Sequence, residues 1–314
     1  MIERLVAVGH VVEDTAEPVN VIGGGVSYAG IAARNLGLEV QVITKLPEGH
    51  RFTDTLVKRG ISVLTLPTEY DGITTFTNRY GPFGERKQVL LDRQEDITAT
   101  ELKNIPADNF RNTVFLVASV MGEVDTRSIP YLAKYGLVVV TPQGYFRDTN
   151  EDGTVFQREW SGFEEDLSAA AITILSEEDI AIGGIIDDSL LDRITSASPI
   201  TVLTRGRMGA IVYQGGMDTT INAFFLKEDE IKDFTGAGDS FAAAFIAKFI
   251  KSGSAIEAGV YAAFFSAVKI AALSGVGIES IPTLGQLEQF KKEHPSEVNA
   301  FLKSNSARYD DLSI

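Results

Sequence analysis

Seven short runs rich in β-branched residues, at 5–12, 40–45, 62–66, 114–118, 137–141, 172–175 and 201–204, alternate with helix-like segments over most of this chain. Runs that stay apolar at every position belong to strands covered on both faces, whereas a half-exposed strand would alternate. Helical patterns fall between them at 24–36, 52–59, 126–135 and 190–197. Parallel neighbours need crossovers of about this length, so the order predicts a doubly wound α/β fold with a mostly parallel central sheet. Two helices follow one another late in the chain. The second opens on Ser254-x-x-Glu257, a capping-box pattern, and Gly275 stands where a C-cap glycine belongs. The whole chain, 1–314, reads as one α/β domain.

One stretch breaks the alternation. Strand patterns at 74–80 and 87–92 flank the turn Gly81-Pro-Phe-Gly84. A hairpin standing out from an α/β body is either a lid over a site or an ordinary sheet edge.

The sharpest chemical signal is Asp233-Phe-Thr-Gly-Ala-Gly-Asp-Ser-Phe241, followed at once by a small-residue helical pattern. Gly236, Ala237 and Gly238 allow a tight turn whose amides face one way. A helix opening there adds free N–H groups and the positive end of its dipole, so an anion can settle on it. Asp239 beside such a site can take the proton of an attacking hydroxyl. The segment therefore points to phosphoryl transfer onto an alcohol, the alternative being a glycine turn that only caps a helix.

That segment resembles the C-terminal signature of the PfkB/ribokinase-like carbohydrate kinases, Asp-Thr-x-Gly-Ala-Gly-Asp before a small-residue helix. The chain keeps Asp233, Gly236, Ala237, Gly238 and Asp239, and departs at Phe234. The resemblance implies a ribokinase-like fold, Asp239 as general base, and the amides of Gly236, Ala237 and Gly238 as anion hole. It also implies that 11–22 and 70–92 build a small β-strand lid over the acceptor. Gly9 with Asp14 matches the early Gly-x-x-x-x-Asp, whose carboxylate takes acceptor hydroxyls, with Val12 where an asparagine is usual. Gly23-Gly24 and the helix ending Arg34-Asn-Leu-Gly37 match the first signature, which places Tyr28 at a substrate position where asparagine is common.

Thr204-x-Gly206-x-x-Gly209 matches the stretch that runs along the donor phosphates, with Arg205 and Arg207 as nearby cations. Thr235 and Gly277 complete the nucleotide side, Gly277 lying in Val276–Pro282, which reads either as the adenine loop or as a plain connector. The family's magnesium-organising Asn-x-x-Glu would fall where this chain has Ser176-Glu-Glu-Asp179. Ser176 and Asp179, with Asp233, are the metal candidates; a helix N-terminus capped by Ser176 is an equal local reading. Gln143-Gly-Tyr-Phe-Arg147 ends a central strand, where ligands gather in open sheets, and Arg147 suits an anionic group.

The resemblance brings ATP and Mg²⁺ as cofactors, leaves room for a monovalent cation, and makes a small sugar or polyol the partner, in a chain that could pair as a homodimer. The net charge of −15 argues against nucleic acid and anionic membranes as partners. No cysteine is present, and Met1-Ile-Glu-Arg runs directly into the first strand pattern, which together fit a cytoplasmic protein. A Walker-type P-loop is missing, and Phe241 stands where a dinucleotide fold needs its third glycine. Two further readings stay open: a catalytically weak member that binds nucleotide or sugar for regulation, and a nucleoside kinase.

Overall fold

The structure is a computed structural model, and it describes residues 2–15, 19–80, 86–182 and 185–314. Nine strands form the central sheet in the spatial order Met217–Ile221, Ala210–Gln214, Ile200–Thr204, Ile172–Ser176, Leu137–Thr141, Thr113–Ala118, Arg4–Val8, Glu39–Thr44 and Ser62–Thr65. The last seven of these run parallel. Ala210–Gln214 and Met217–Ile221 add an antiparallel edge.

The apolar runs are explained by burial on two sides. Leu5, Ala7, Val40, Val42, Val114 and Leu116 face a core shared with helices Gly25–Asn35, Ala237–Ser252 and Ala255–Ile270. Their neighbours Val6, Val8, Ile43, Phe115 and Val117 face the opposite core, shared with Ser128–Leu132, Phe163–Ser168 and Asp188–Ala197. Side chains alternate across a strand, so a sheet sandwiched between helix layers needs an apolar residue at every position. All seven predicted runs contain a strand of this sheet.

Several details differ from the expectation. The run 5–12 is broken, because the sheet strand ends at Val8 and a separate strand, Val12–Asp14, follows. Gly9 makes the break: a Cβ there would lie 2.3 Å from the Ala118 carbonyl oxygen. Gly275 is not a helix cap. The helix ends at Ile270, and Ala272 is the residue just beyond it that takes a left-handed turn, at φ 48°. Ser254 caps as expected, accepting the Glu257 amide at 3.2 Å.

The predicted hairpin belongs to a second, four-stranded sheet in the order Val21–Gly23, Val12–Asp14, Thr75–Tyr80, Arg86–Asp92. The turn at 81–84 lies outside the described residues. Val12 and Phe76 of this sheet pack with Val120 and Met121, which follow central strand Thr113–Ala118. A hairpin of Arg147–Thr149 and Val155–Gln157, not expected from the sequence, lies against this sheet: Leu90 donates its amide to the Gly153 carbonyl at 2.9 Å, and Val89 bridges Thr154. Among the described residues, no helix is long and apolar enough to cross a membrane.

Candidate active site

Gly236 adopts φ 71° and is the N-cap of helix Ala237–Ser252. A Cβ at Gly236 would fall 2.1 Å from the ring of Tyr28, so this glycine is required both by its backbone angle and by close packing. Gly238 is the opposite case. It is exposed, and a Cβ there would meet no heavy atom within 4 Å. The turn thus has a closed side, sealed by Tyr28, and an open side on which an anion can approach the helix N-terminus.

Asp239 stands in the first turn of that helix. A Cβ on Gly25 would reach its Oδ1 at 2.9 Å and the Ala118 side chain at 3.3 Å, which places Asp239 over the start of helix Gly25–Asn35 and the C-terminal end of a central strand. The carboxyl is walled in by protein while keeping part of its surface open. Burial pushes its pKa up to about 6; Asp179 and Asp14 push the same way, while Arg147 and Lys269 oppose them. A carboxylate so tuned is a stronger base than an exposed aspartate and is still largely ionised at neutral pH.

Asp14 comes to the same place from the small sheet, its Oδ2 lying where a Cβ of Gly23 would be only 2.2 Å away. Its neighbour Glu13 points elsewhere, to Arg51 at 2.8 Å and Asn20 at 3.0 Å. Gly24 allows another close approach, since a Cβ there would sit 2.6 Å from the His10 carbonyl oxygen. Tyr28 is buried between Gly236 and Gly277, its hydroxyl 3.6 Å from where a Gly277 Cβ would be. Burial, together with Asp14, Asp233 and Asp239, raises its phenol well above the usual range. Tyr28 is therefore a wall between the anion turn and the Gly277 loop.

Asp233 is a hub. One oxygen receives the Thr235 amide at 2.8 Å; the other receives Lys269 Nζ at 3.0 Å and the Gly277 amide at 2.7 Å. Burial raises its pKa, but these donors outweigh burial and hold it below the ordinary value. Lys269 is completely buried and also reaches the Asp233 carbonyl at 3.1 Å. Sequence reasoning missed Lys269 as a site residue, although a lone lysine within the apolar run 255–273 was a signal.

The residues expected on the donor side fall at the ends of neighbouring strands. Thr204 ends Ile200–Thr204 and donates its hydroxyl to the Leu175 carbonyl at 3.2 Å. Gly206 lies in the turn that follows, and the Arg205 amide closes it on the Gly209 carbonyl at 2.7 Å. Gly209 is pressed so close to the Ile221 carbonyl that a Cβ would lie 2.0 Å from it. Arg205 is held by Glu177 at 2.6 Å.

The three metal candidates do not form a ligand shell. Ser176 and Asp179 spend their polar atoms on each other in a capping box, with Ser176 N and Oγ donating to Asp179 Oδ2 at 2.8 and 3.0 Å. Asp233 is occupied by Lys269 and two amides. Among the described residues, no group of three or more His, Asp or Glu is arranged to hold a metal ion.

A buried polar cluster, also unforeseen, supports the floor of the site. Fully buried Glu123 accepts from Ser119 Oγ at 2.7 Å and from the amides of His10, Val120 and Met121 at 2.8–3.1 Å. The His10 ring bridges Thr74 Oγ1 at 2.8 Å and the Glu95 carbonyl at 2.9 Å, which ties the small sheet to the central one.

The model of the pfkB family carbohydrate kinases matches residues 168–282, the part of the chain that holds the turn at 204–209, the Gly-Ala-Gly-Asp turn and the Gly277 loop. The chain is 24% identical over 311 residues to a 5-dehydro-2-deoxygluconokinase from Geobacillus kaustophilus (strain HTA426), covering 90% of this chain and 88% of that one. Its fold is similar to a pyrophosphate-dependent kinase of the ribokinase family complexed with a pyrophosphate analog and myo-inositol, with a TM-score of 0.69, 23% identity, and coverage of 88% of this chain and 98% of that one. It is likewise similar to Arabidopsis thaliana ribokinase complexed with ribose and ATP, with a TM-score of 0.67, 15% identity, and coverage of 93% and 99%. A glycine turn at a helix N-terminus, an aspartate of raised basicity directly after it and a ribokinase-like sheet thus occur in a chain whose residues 168–282 match the pfkB family of carbohydrate kinases.

Proposed function

We propose that this protein transfers the γ-phosphoryl group of ATP to a hydroxyl of a small sugar or cyclic polyol. The observation that carries this reading is Asp239, a base of raised proton affinity in the first turn of a helix whose N-terminus is open at Gly238. The acceptor hydroxyl gives its proton to Asp239 as its oxygen forms a bond to phosphorus. The bond to the leaving diphosphate breaks, and the amides of Gly236, Ala237 and Gly238 take the charge of the transferring group. Asp14, with the close-approach backbone at Gly23 and Gly24, receives other hydroxyls of the acceptor. The small sheet closes over it, while Tyr28 walls the back of the pocket. Thr204, Gly206 and Gly209 lie along the donor, with Thr235 and Gly277 on its far side. In this account Asp233 anchors the Gly277 loop directly, by accepting the Gly277 amide, and Lys269 balances its charge.

Pyrophosphate is the second donor to weigh, since a kinase using it shares the fold at 23% identity. The test is a screen for acceptor phosphorylation with ATP and with pyrophosphate, over inositols, pentoses, hexoses, sugar acids and nucleosides. The reading expects turnover with ATP and at least one polyhydroxy acceptor. Turnover with pyrophosphate alone would correct the donor. Tight binding of sugar or ATP without turnover would favour a regulatory role.

A further inference from the structure

The chain passes between the rest of the fold and the small sheet four times, and all four passages meet at His10. The first is His10 itself, between strands Arg4–Val8 and Val12–Asp14. The second ends at Thr74, directly before Thr75–Tyr80, and its Oγ1 lies 2.8 Å from His10 Nδ1. The third leaves Arg86–Asp92 through Gln94 and Glu95. There the Glu95 carbonyl lies 2.9 Å from His10 Nε2, and the Gln94 amide donates to Thr74 Oγ1 at 3.0 Å. The fourth is Gly24, at φ 87°, where a Cβ would sit 2.6 Å from the His10 carbonyl oxygen.

The partners fix the direction of each bond to the ring. A carbonyl can only accept, so Nε2 carries a proton and donates to Glu95. Burial lowers the His10 pKa, outweighing the opposing pull of Glu123 and the Glu95 carbonyl, so the ring is neutral at pH 7. Nδ1 must then accept, and the Thr74 hydroxyl donates to it while accepting the Gln94 amide. His10, Thr74 and Gln94 are all buried, so water does not replace a lost partner. The main chain is held as well, since the His10 amide donates to fully buried Glu123 at 3.0 Å.

This joint lies beneath the two carboxylates of the site. His10 leads into the strand that ends at Asp14. Gly24, which leans on its carbonyl, separates Gly23, packed against Asp14, from Gly25, packed against Asp239. We propose that His10 is a positioning residue for phosphoryl transfer: its ring, bonded to Thr74 and Glu95, holds the small sheet, and with it Asp14, at the working distance from Asp239. The proposal rests on the phosphotransferase reading above and deepens it, with no contact between the His10 ring and substrate.

The test severs one arm of the joint at a time. Thr74→Val keeps the shape and loses the hydroxyl, Thr74→Ser keeps the hydroxyl, and His10→Asn loses the donor to Glu95. In ligand-free protein, amide exchange in Thr75–Tyr80 and Arg86–Asp92 should quicken about tenfold in Thr74→Val and His10→Asn, with helix Ala237–Ser252 unchanged. The acceptor is whichever of myo-inositol, ribose, glucose and gluconate wild type turns over fastest. Its KM should rise about tenfold in the same two variants, while kcat and the KM for ATP stay within about threefold of wild type. Thr74→Ser should restore wild-type values, and His10→Asn serves if Thr74→Val does not fold. Unchanged exchange in the small sheet would overturn the proposal. So would faster exchange spread evenly over sheet and helix, or equal rises in the KM for acceptor and for ATP, either of which marks general loosening. Those results leave the kinase intact, whereas turnover of none of the four acceptors by wild type would overturn the phosphotransferase reading and the positioning role with it.

Discussion

Lys269 Nζ lies 3.0 Å from Asp233 Oδ2, and that same oxygen accepts the Gly277 amide at 2.7 Å. One ion pair thus joins the segment leading into the Gly-Ala-Gly turn to the last turn of a buried helix and to the Gly277 loop. Burial depresses the Lys269 pKa and Asp233 opposes it, so the lysine depends on its partner. Asp233→Ala leaves a charge buried and unpaired and should cost roughly 3–5 kcal/mol in denaturant unfolding. Asp233→Asn with Lys269→Met removes both charges and should regain most of that loss, while activity stays low because the Gly277 loop has lost its anchor. Equal stability of Asp233→Ala and wild type would show that the pair is not structural.

The two glycines of the anion turn should part company. Gly236→Ala must hold φ 71° and collide with Tyr28, so it should destabilise the fold by more than about 1 kcal/mol. Gly238→Val places its side chain where no protein atom lies within 4 Å. Its melting temperature should stay within a few degrees of wild type while turnover collapses, since only the incoming phosphoryl group is obstructed. A Gly238→Val enzyme with wild-type kcat would remove the turn from the chemistry.

Asp239 also predicts a pH-dependent stability. Its carboxyl titrates at about 6 in the folded chain, above the ordinary value of 3.8. Below about pH 4 both folded and unfolded states hold the proton, and nothing is lost. As the pH rises towards 6 the unfolded state ionises freely and the folded state does so at a cost, which is complete above 6. Ligand-free Asp239→Asn escapes that cost and should melt a few degrees higher than wild type at pH 8, with the gain shrinking towards pH 4. A variant that melts lower at pH 8 would contradict the burial argument.

The small sheet gives a fourth expectation. If it covers the acceptor, amide exchange in Thr75–Tyr80 and Arg86–Asp92 should slow on acceptor binding and respond little to ATP alone. Asp14→Ala should weaken acceptor binding and leave ATP binding close to wild type, because it removes a hydroxyl partner. Protection that appears with ATP alone and does not change with acceptor would rule out a substrate lid.

Much of this was legible from residue order. The apolar runs expected at 5–12, 114–118 and 137–141 each carry a strand of the sheet buried on both faces, although the first strand stops at Val8, and Gly236 to Asp239 open a helix as expected. The edge strand Met217–Ile221 was not legible, since four of its five residues are exposed and Asp-Thr-Thr reads as loop. Pairing with Ala210–Gln214 decides it, and a register between strands has no local signature. The Ser176–Asp179 spacing suited either a metal or a helix cap, and side-chain geometry shows the cap. Lys269 and Glu123 were hidden for another reason. Each acts through partners at least 36 residues away or through a burial that composition does not reveal.

The most direct measurement is the phosphoryl-transfer rate of Asp239→Asn beside wild type, across pH, with ATP binding measured on the same samples. Wild-type kcat/KM should fall on the acidic side with an apparent pKa near 6, because the protonated carboxyl cannot accept the hydroxyl proton. The asparagine variant should bind ATP normally and turn over about 10²–10⁴ times more slowly, with that acidic limb gone. A variant that keeps more than half of wild-type kcat would contradict Asp239 as the base.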